Sequence, residues 1–188
     1  MNRFRPKSRS SLALLWRDRP LSNSRLVRFG SIVNNFAVYL HNGVLIQTLE
    51  DCQRELPNET IGLLAGRTCQ DADGLYTVVT AAEAALSNEI ESSPAEVRIS
   101  STGYAQLRGR LETNHPVLEV VGWFHSHPLS QAILSNEDLV EQSTWTDNTN
   151  VALVVSLISK GERFGMFHGP DAIPLFQRAS ATARKSEK

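Results

Sequence analysis

Along this chain the hydrophobic positions switch between a period of two and a period near 3.6. Phe36–Leu40 is a short apolar run with strand character. Asn42 can cap a helix whose apolar positions Val44, Leu45, Leu49 and Cys52 share one face, and Pro57 stops it. Thr60–Gly66 reads as a buried strand, Asp71–Gly74 as a turn, and Leu75–Thr80 as the return strand of a hairpin. Asn88–Pro94 is polar and reads as a loop, and Val97–Ile99 alternates like a strand. Ser101 or Thr102 starts a helix to about Glu112, with Tyr104, Leu107 and Leu111 on one face. Val117–His127 is rich in β-branched and aromatic residues and predicts a strand. Pro128–Leu134 follows as a loop and Ser135 to about Trp145 as a helix. Val151–Ile158 is continuously apolar, as a central strand would be, and Lys160-Gly161 turns it back into Arg163–His168. Strands and helices interleave without a strict βαβ rhythm. The pattern predicts a mixed α/β fold, α+β-like, with helices packed on the faces of a sheet.

Composition narrows the class. At 188 residues, 41% hydrophobic and 21% charged, the chain holds enough apolar surface for one packed domain, which excludes a fully disordered chain. Two cysteines, Cys52 and Cys69, exclude a disulfide scaffold and a four-cysteine zinc site; they read as small apolar residues and fit a reducing, cytoplasmic setting. No run approaches the roughly 18 apolar residues of a membrane helix. The net charge of −1 conceals an asymmetry: residues 1–28 sum to +7 and the rest to −8. The basic arm, with its apolar patch Leu12–Trp16, reads as a mobile segment or one laid on its own domain. Its composition also matches a mitochondrial transit peptide and an arm for an acidic partner. An acidic body argues against a nucleic-acid partner.

The chemistry lies in Gly122–Pro128 and Ser135–Asp138. His125 and His127 stand at i and i+2 of a predicted strand, so both imidazoles point to one face. Asp138, in the first turn of the next helix, can add a carboxylate. Two nitrogens, one carboxylate and a position left to water make the donor set of a catalytic zinc site. A plainer reading coexists with it: Ser135 to Asp138 is a serviceable capping box, and strand histidines are often satisfied by hydrogen bonds. His41, His115 and His168 have no comparable company and read as surface or packing residues; Trp123 and Phe124 read as core and rim.

The joint spacing His-x-His, seven residues, Ser, two residues, Asp resembles the JAMM motif of the JAB1/MPN/Mov34 metallopeptidases. That motif adds an upstream glutamate before a strand like Gly-Leu-Leu-x-Gly; here Glu59 precedes Thr60–Gly66. The lead-in Val120–Phe124 and the apolar stretch Asn150–Ser156 are similar to the family too. The resemblance spans roughly residues 30–170, and organises the chain as arm 1–28, domain 29–170 and tail 171–188. It implies a cytidine-deaminase-like MPN/JAMM fold, a central mixed sheet flanked by helices. His125, His127 and Asp138 then resemble the ligands of one Zn2+ per chain. Glu59, rather than Glu55 or Glu83, resembles the general base, and Ser135 the hydroxyl that supports the oxyanion.

The implied activity is hydrolysis after the C-terminus of a ubiquitin or ubiquitin-like protein, in deconjugation or precursor processing. The substrate tail would add along the strand edge Glu96–Ser100, with the loop Leu129–Leu134 opposite. The connection Ser87–Pro94 is too short for the insertions of linkage-selective relatives. Compact size resembles stand-alone prokaryotic members. Some of these accompany E1- and E2-like conjugation enzymes, including in antiviral operons. A JAMM peptidase for a sulfur-carrier or phage-tail protein and a non-catalytic MPN scaffold are the alternatives.

Overall fold

The computed structural model describes residues 25–31, 36–71, 74–158, 161 and 163–177. Most of the basic arm, the end of the chain and the tips of both expected hairpin turns lie outside them. The strands are β1 (Leu26–Ser31), β2 (Phe36–His41), β3 (Ile61–Asp71), β4 (Gly74–Ala84), β5 (Ile90–Ser93), β6 (Glu96–Ile99), β7 (Glu119–His127), β8 (Val151–Ser156), β9 (Phe164–His168) and β10 (Ile173–Leu175). The helices are α1 (Asn42–Arg54), α2 (Ser101–Asn114) and α3 (Asn136–Ser143).

Eight strands form one mixed sheet in the order β1-β2-β4-β3-β7-β8-β9-β10. β2 pairs with β4, and β7 with β8, in parallel; the other neighbours are antiparallel. The sheet curls until its ends meet: the Gly30 N–H donates to the Phe176 carbonyl at 2.9 Å, and Phe29 bridges Gln177. Hence the first strand begins at Leu26, inside the expected arm, and the last falls within the expected tail. β5 and β6 form a separate two-stranded ribbon, so the segment expected as a polar loop holds a strand instead. Its ladder needs only backbone groups, which polar side chains do not forbid.

Strand alternation separates two cores. On one face Val44, Leu45 and Cys52 of α1 pack with Val38, Leu40, Leu64, Phe124, Leu153 and Val155. On the other, Leu107 and Leu111 of α2 pack with Leu63, Ala65, Trp123, Trp145 and Ala152. Each Val, Leu or Phe among these contributes about 1.5–3 kcal/mol on leaving water. Every residue of β8 is buried, as the apolar run Val151–Val155 predicts. Gly66 has no room for a side chain, because a Cβ there would strike the Val78 backbone. The helix ends depart slightly from expectation. His41, not Asn42, caps α1, its Nδ1 accepting the Gly43 N–H at 3.2 Å. α3 stops at Ser143, short of Trp145, where the Ser143 and Thr144 hydroxyls turn back onto the Val140 and Glu141 carbonyls.

An ion cluster ties α2 to the connection leading into β5. Arg110 pairs with Glu89 and Glu83, and its Nη2 donates to the Ala84 carbonyl at 2.9 Å. Glu89 also accepts the Leu86 N–H at 2.8 Å. Burial would push the Glu89 carboxyl up, but the guanidinium outweighs this and holds it below the ordinary range. Arg110→Ala should cost about 2–4 kcal/mol, since it strands a buried carboxylate. Urea unfolding checks this, and a loss below about 0.5 kcal/mol would assign the cluster to solvated surface.

Candidate metal centre

The site forms where the C-terminal end of β7 faces the start of α3. On β7, Trp123, His125 and His127 share the α2/α3 face, while Phe124 and Ser126 turn toward α1. His125 Nε2 and His127 Nε2 lie 2.7 Å apart. Asp138 Oδ2 is 3.3 Å from the first and 3.4 Å from the second. Among the described residues, this is the group of metal-ligating side chains whose donor atoms converge, all within 4.8 Å.

The arrangement fits a zinc ion. With Zn–N and Zn–O bonds of about 2.0–2.1 Å, tetrahedral ligand atoms sit about 3.3 Å apart. Both His–Asp separations match that edge; the His–His separation is shorter and must open slightly. His127 Nδ1 lies 2.9 Å from the Gln131 carbonyl, which makes Nδ1 the protonated nitrogen and leaves Nε2 its lone pair. His125 Nδ1 is buried without a hydrogen-bond partner among the described residues. Its ring instead stacks on Trp123, centroids 5.1 Å apart and planes at 16°.

Asp138 serves two structures at once. Its Oδ2 accepts the Ser135 N–H at 2.7 Å, and its own N–H donates to Ser135 Oγ at 3.2 Å, closing a capping box. The same Oδ2 faces the histidines. Helix cap and ligand are thus one carboxylate, and the Ser135 hydroxyl proton is left out of the cap. Burial raises the Asp138 carboxyl, but hydrogen bonds and charge from His125 and His127 outweigh it and hold it well below the carboxylate range. Burial lowers His125 below its ordinary 6.5. In His127, burial is overcome by Asp138, the Gln131 carbonyl and Glu59, which raise it.

Glu59 sits just before β3. The pairing Ile61↔His125 continues one step, with the Ser126 N–H on the Thr60 carbonyl at 2.9 Å. Ser126 Oγ accepts the Thr60 N–H, also at 2.9 Å. This register sets Glu59 opposite His127 on the same face. Its own N–H donates to the Ser93 carbonyl of β5 at 2.8 Å, so the ribbon fixes it from the other side. Glu59 is 8% exposed. Burial raises its carboxyl from 4.5 to about 7, with His127 opposing and Asp138 and Glu96 reinforcing. The structure therefore brings together Glu59, His125, His127, Ser135 and Asp138.

The other candidates have different company. Glu83 pairs with Arg110, and Glu55 follows α1 as its C-cap. His41 and His115 cap helices, and His168 stacks on Phe36. Sequence reasoning missed Gln131, which acts through its main chain, and Gln142, a glutamine in a polar stretch of helix. Gln142 is fully buried, and its carboxamide oxygen accepts the Trp123 indole N–H at 2.7 Å.

A curled mixed sheet, helices on both faces, and a His-His-Asp cluster at a strand end define a domain of the JAB/MPN class. The family model for prokaryotic homologs of the JAB domain matches residues 41–168, and the chain belongs to that family. Among solved structures it is similar to protein DSY2949 from Desulfitobacterium hafniense, a solution structure. The two are 26% identical, with a TM-score of 0.50 over 74% of this chain and 88% of that one. No curated protein matches the chain.

Proposed function

We propose that this chain is a zinc-dependent peptidase of the JAMM type. Its substrate is the amide or isopeptide bond after the C-terminus of a ubiquitin-like protein. The observation that carries the reading is the convergence of three donor atoms, from His125, His127 and Asp138, beside a buried glutamate opposite His127. Three protein ligands leave a fourth position for water, which is the catalytic arrangement. Zinc held there would supply Lewis acidity and bring the pKa of its water to about 7.

The remaining steps belong to side chains. Glu59, as the carboxylate, accepts the proton of the attacking water and passes it to the leaving amine. The Ser135 hydroxyl donates to the carbonyl oxygen as charge develops, a contact of a kind worth about 2.7–4 kcal/mol of barrier. An extended substrate tail pairs along β6, whose outer edge has no partner strand among the described residues. Leu129 and Ile133, both exposed in the loop after β7, offer it apolar surface.

The test is direct. Untagged full-length protein should hold about one zinc by elemental analysis. The zinc-loaded protein should release the C-terminal extension from fusions of ubiquitin-like proteins, with mass spectrometry locating the cut. A folded chain that takes up no supplied zinc would instead be a scaffold, with Ser135 and Asp138 acting as a helix cap alone.

A further inference from the structure

We propose that Gln142 is a positioning residue that aligns two of the three metal ligands, His125 and Asp138; this rests on the metal-site reading above. The two histidines are held differently. His127 is oriented by its own hydrogen bond to the Gln131 carbonyl, at 2.9 Å. For His125 there is no such bond among the described residues: its Nδ1 is buried and has no partner there. Its ring plane is set by stacking on Trp123.

Stacking alone lets a ring slide, so the plane of Trp123 must be fixed in turn. The indole N–H donates to Gln142 Oε1 at 2.7 Å. The Gln142 carboxamide is itself held, because its Nε2 donates to the Gly169 carbonyl at 2.9 Å. Gly169 sits in the β9–β10 turn at φ 68°, where glycine is favoured, and its N–H donates to the Asn150 carbonyl at 2.9 Å. Both ends of the carboxamide are therefore used, and the residue is fully buried.

Gln142 lies four residues after Asp138 on α3, so the two side chains share a helix face. Fixing Gln142 against β7 and the β9–β10 turn sets the depth and rotation of α3, and with them the place of the Asp138 carboxylate. One buried amide thus couples the strand that carries two ligands to the helix that carries the third. Partners that hold metal ligands commonly change metal affinity by 10–100-fold when removed.

The experiment measures zinc affinity by competition with a chromophoric chelator, on the full chain. Gln142→Met keeps the volume and removes both hydrogen bonds. Trp123→Phe keeps a ring against His125 and removes the indole N–H. Both variants should bind zinc about 10–100-fold more weakly than wild type. Their cobalt-loaded forms should show altered visible bands, and the double variant should lose little more than Gln142→Met alone. Val38→Ala, in the core on the α1 face, should lower thermal stability without moving affinity or spectrum. Should Gln142→Met fail to fold, Gln142→Leu takes its place, because a loss in Trp123→Phe alone also follows from the smaller ring stacked on His125. Wild-type affinity and spectrum in a folded variant overturn the role of Gln142 while leaving the metal site intact. A zinc loss in Val38→Ala equal to that in the variants also overturns it, as general destabilisation. Wild-type protein that binds no zinc overturns the metal site and this role together.

Discussion

Asp138→Ala is expected to empty the metal centre, lowering zinc affinity by more than about 100-fold, beyond the range typical of outer-shell changes. Asp138 is the anionic donor of the three, and two neutral imidazoles remain without it. The same substitution removes half of a capping box, which costs about 1 kcal/mol of helix stability. Asp138→Asn separates the two effects. Its amide oxygen can still accept the Ser135 N–H, so the cap survives while the charge is lost. Both variants should therefore lose zinc, and Asn should unfold closer to wild type than Ala. Zinc binding should also weaken as pH falls, since ligands bind metal only when deprotonated. Burial would lower His127, but Asp138, the Gln131 carbonyl and Glu59 raise it above its ordinary 6.5, so its proton competes with zinc at higher pH than a free imidazole's would. Chelator competition across pH checks each point, and zinc retained by both variants would remove Asp138 from the ligand set.

How much of this is visible in the sequence follows from the range of each interaction. The His125 and His127 pair is visible because a strand has period two, and Asp138 because a helix start has local rules. β8 is visible because burial on both faces leaves Val151–Val155 apolar throughout, with Ser156 at its end. β1 is hidden because Arg25 and Arg28 make its segment look like part of a basic arm. β5 is hidden because a four-residue ribbon strand needs no apolar side chains at all. Glu59 is a harder case. Alone it is an ordinary glutamate near a strand, and only the antiparallel register between β3 and β7 places it opposite His127 across 68 residues. Gln142 carries no local sign of its role. Its partners are an indole 19 residues away and a carbonyl 27 residues away. The sequence pattern thus shows which groups can hold a metal; the tertiary contacts show what holds those groups.

Glu59→Gln should keep zinc and lose hydrolysis, by about 10²–10⁴-fold if Glu59 is the proton carrier. The amide matches the carboxylate in size and cannot accept the proton. The metal ligands are untouched, so zinc content should stay near wild type, which sets this variant apart from Asp138→Ala. The pH dependence makes a second, independent check. In wild type, kcat/KM should rise with pH until Glu59 ionises. That point lies at about 7 in the metal-free chain and lower once a nearby dication favours the carboxylate. The variant should lack this limb. Stability of the metal-free protein should move the other way. A carboxyl raised from 4.5 to about 7 contributes stability that is full below 4.5 and lost as pH rises through 7. Metal-free Glu59→Gln should thus be more stable than wild type at pH 8, by up to about 3 kcal/mol, and no more stable at pH 4. Activity is lost where stability is gained, the pattern expected when a buried carboxylate is kept for proton transfer rather than for the fold. A variant that cleaves at the wild-type rate would assign the proton transfer to another group.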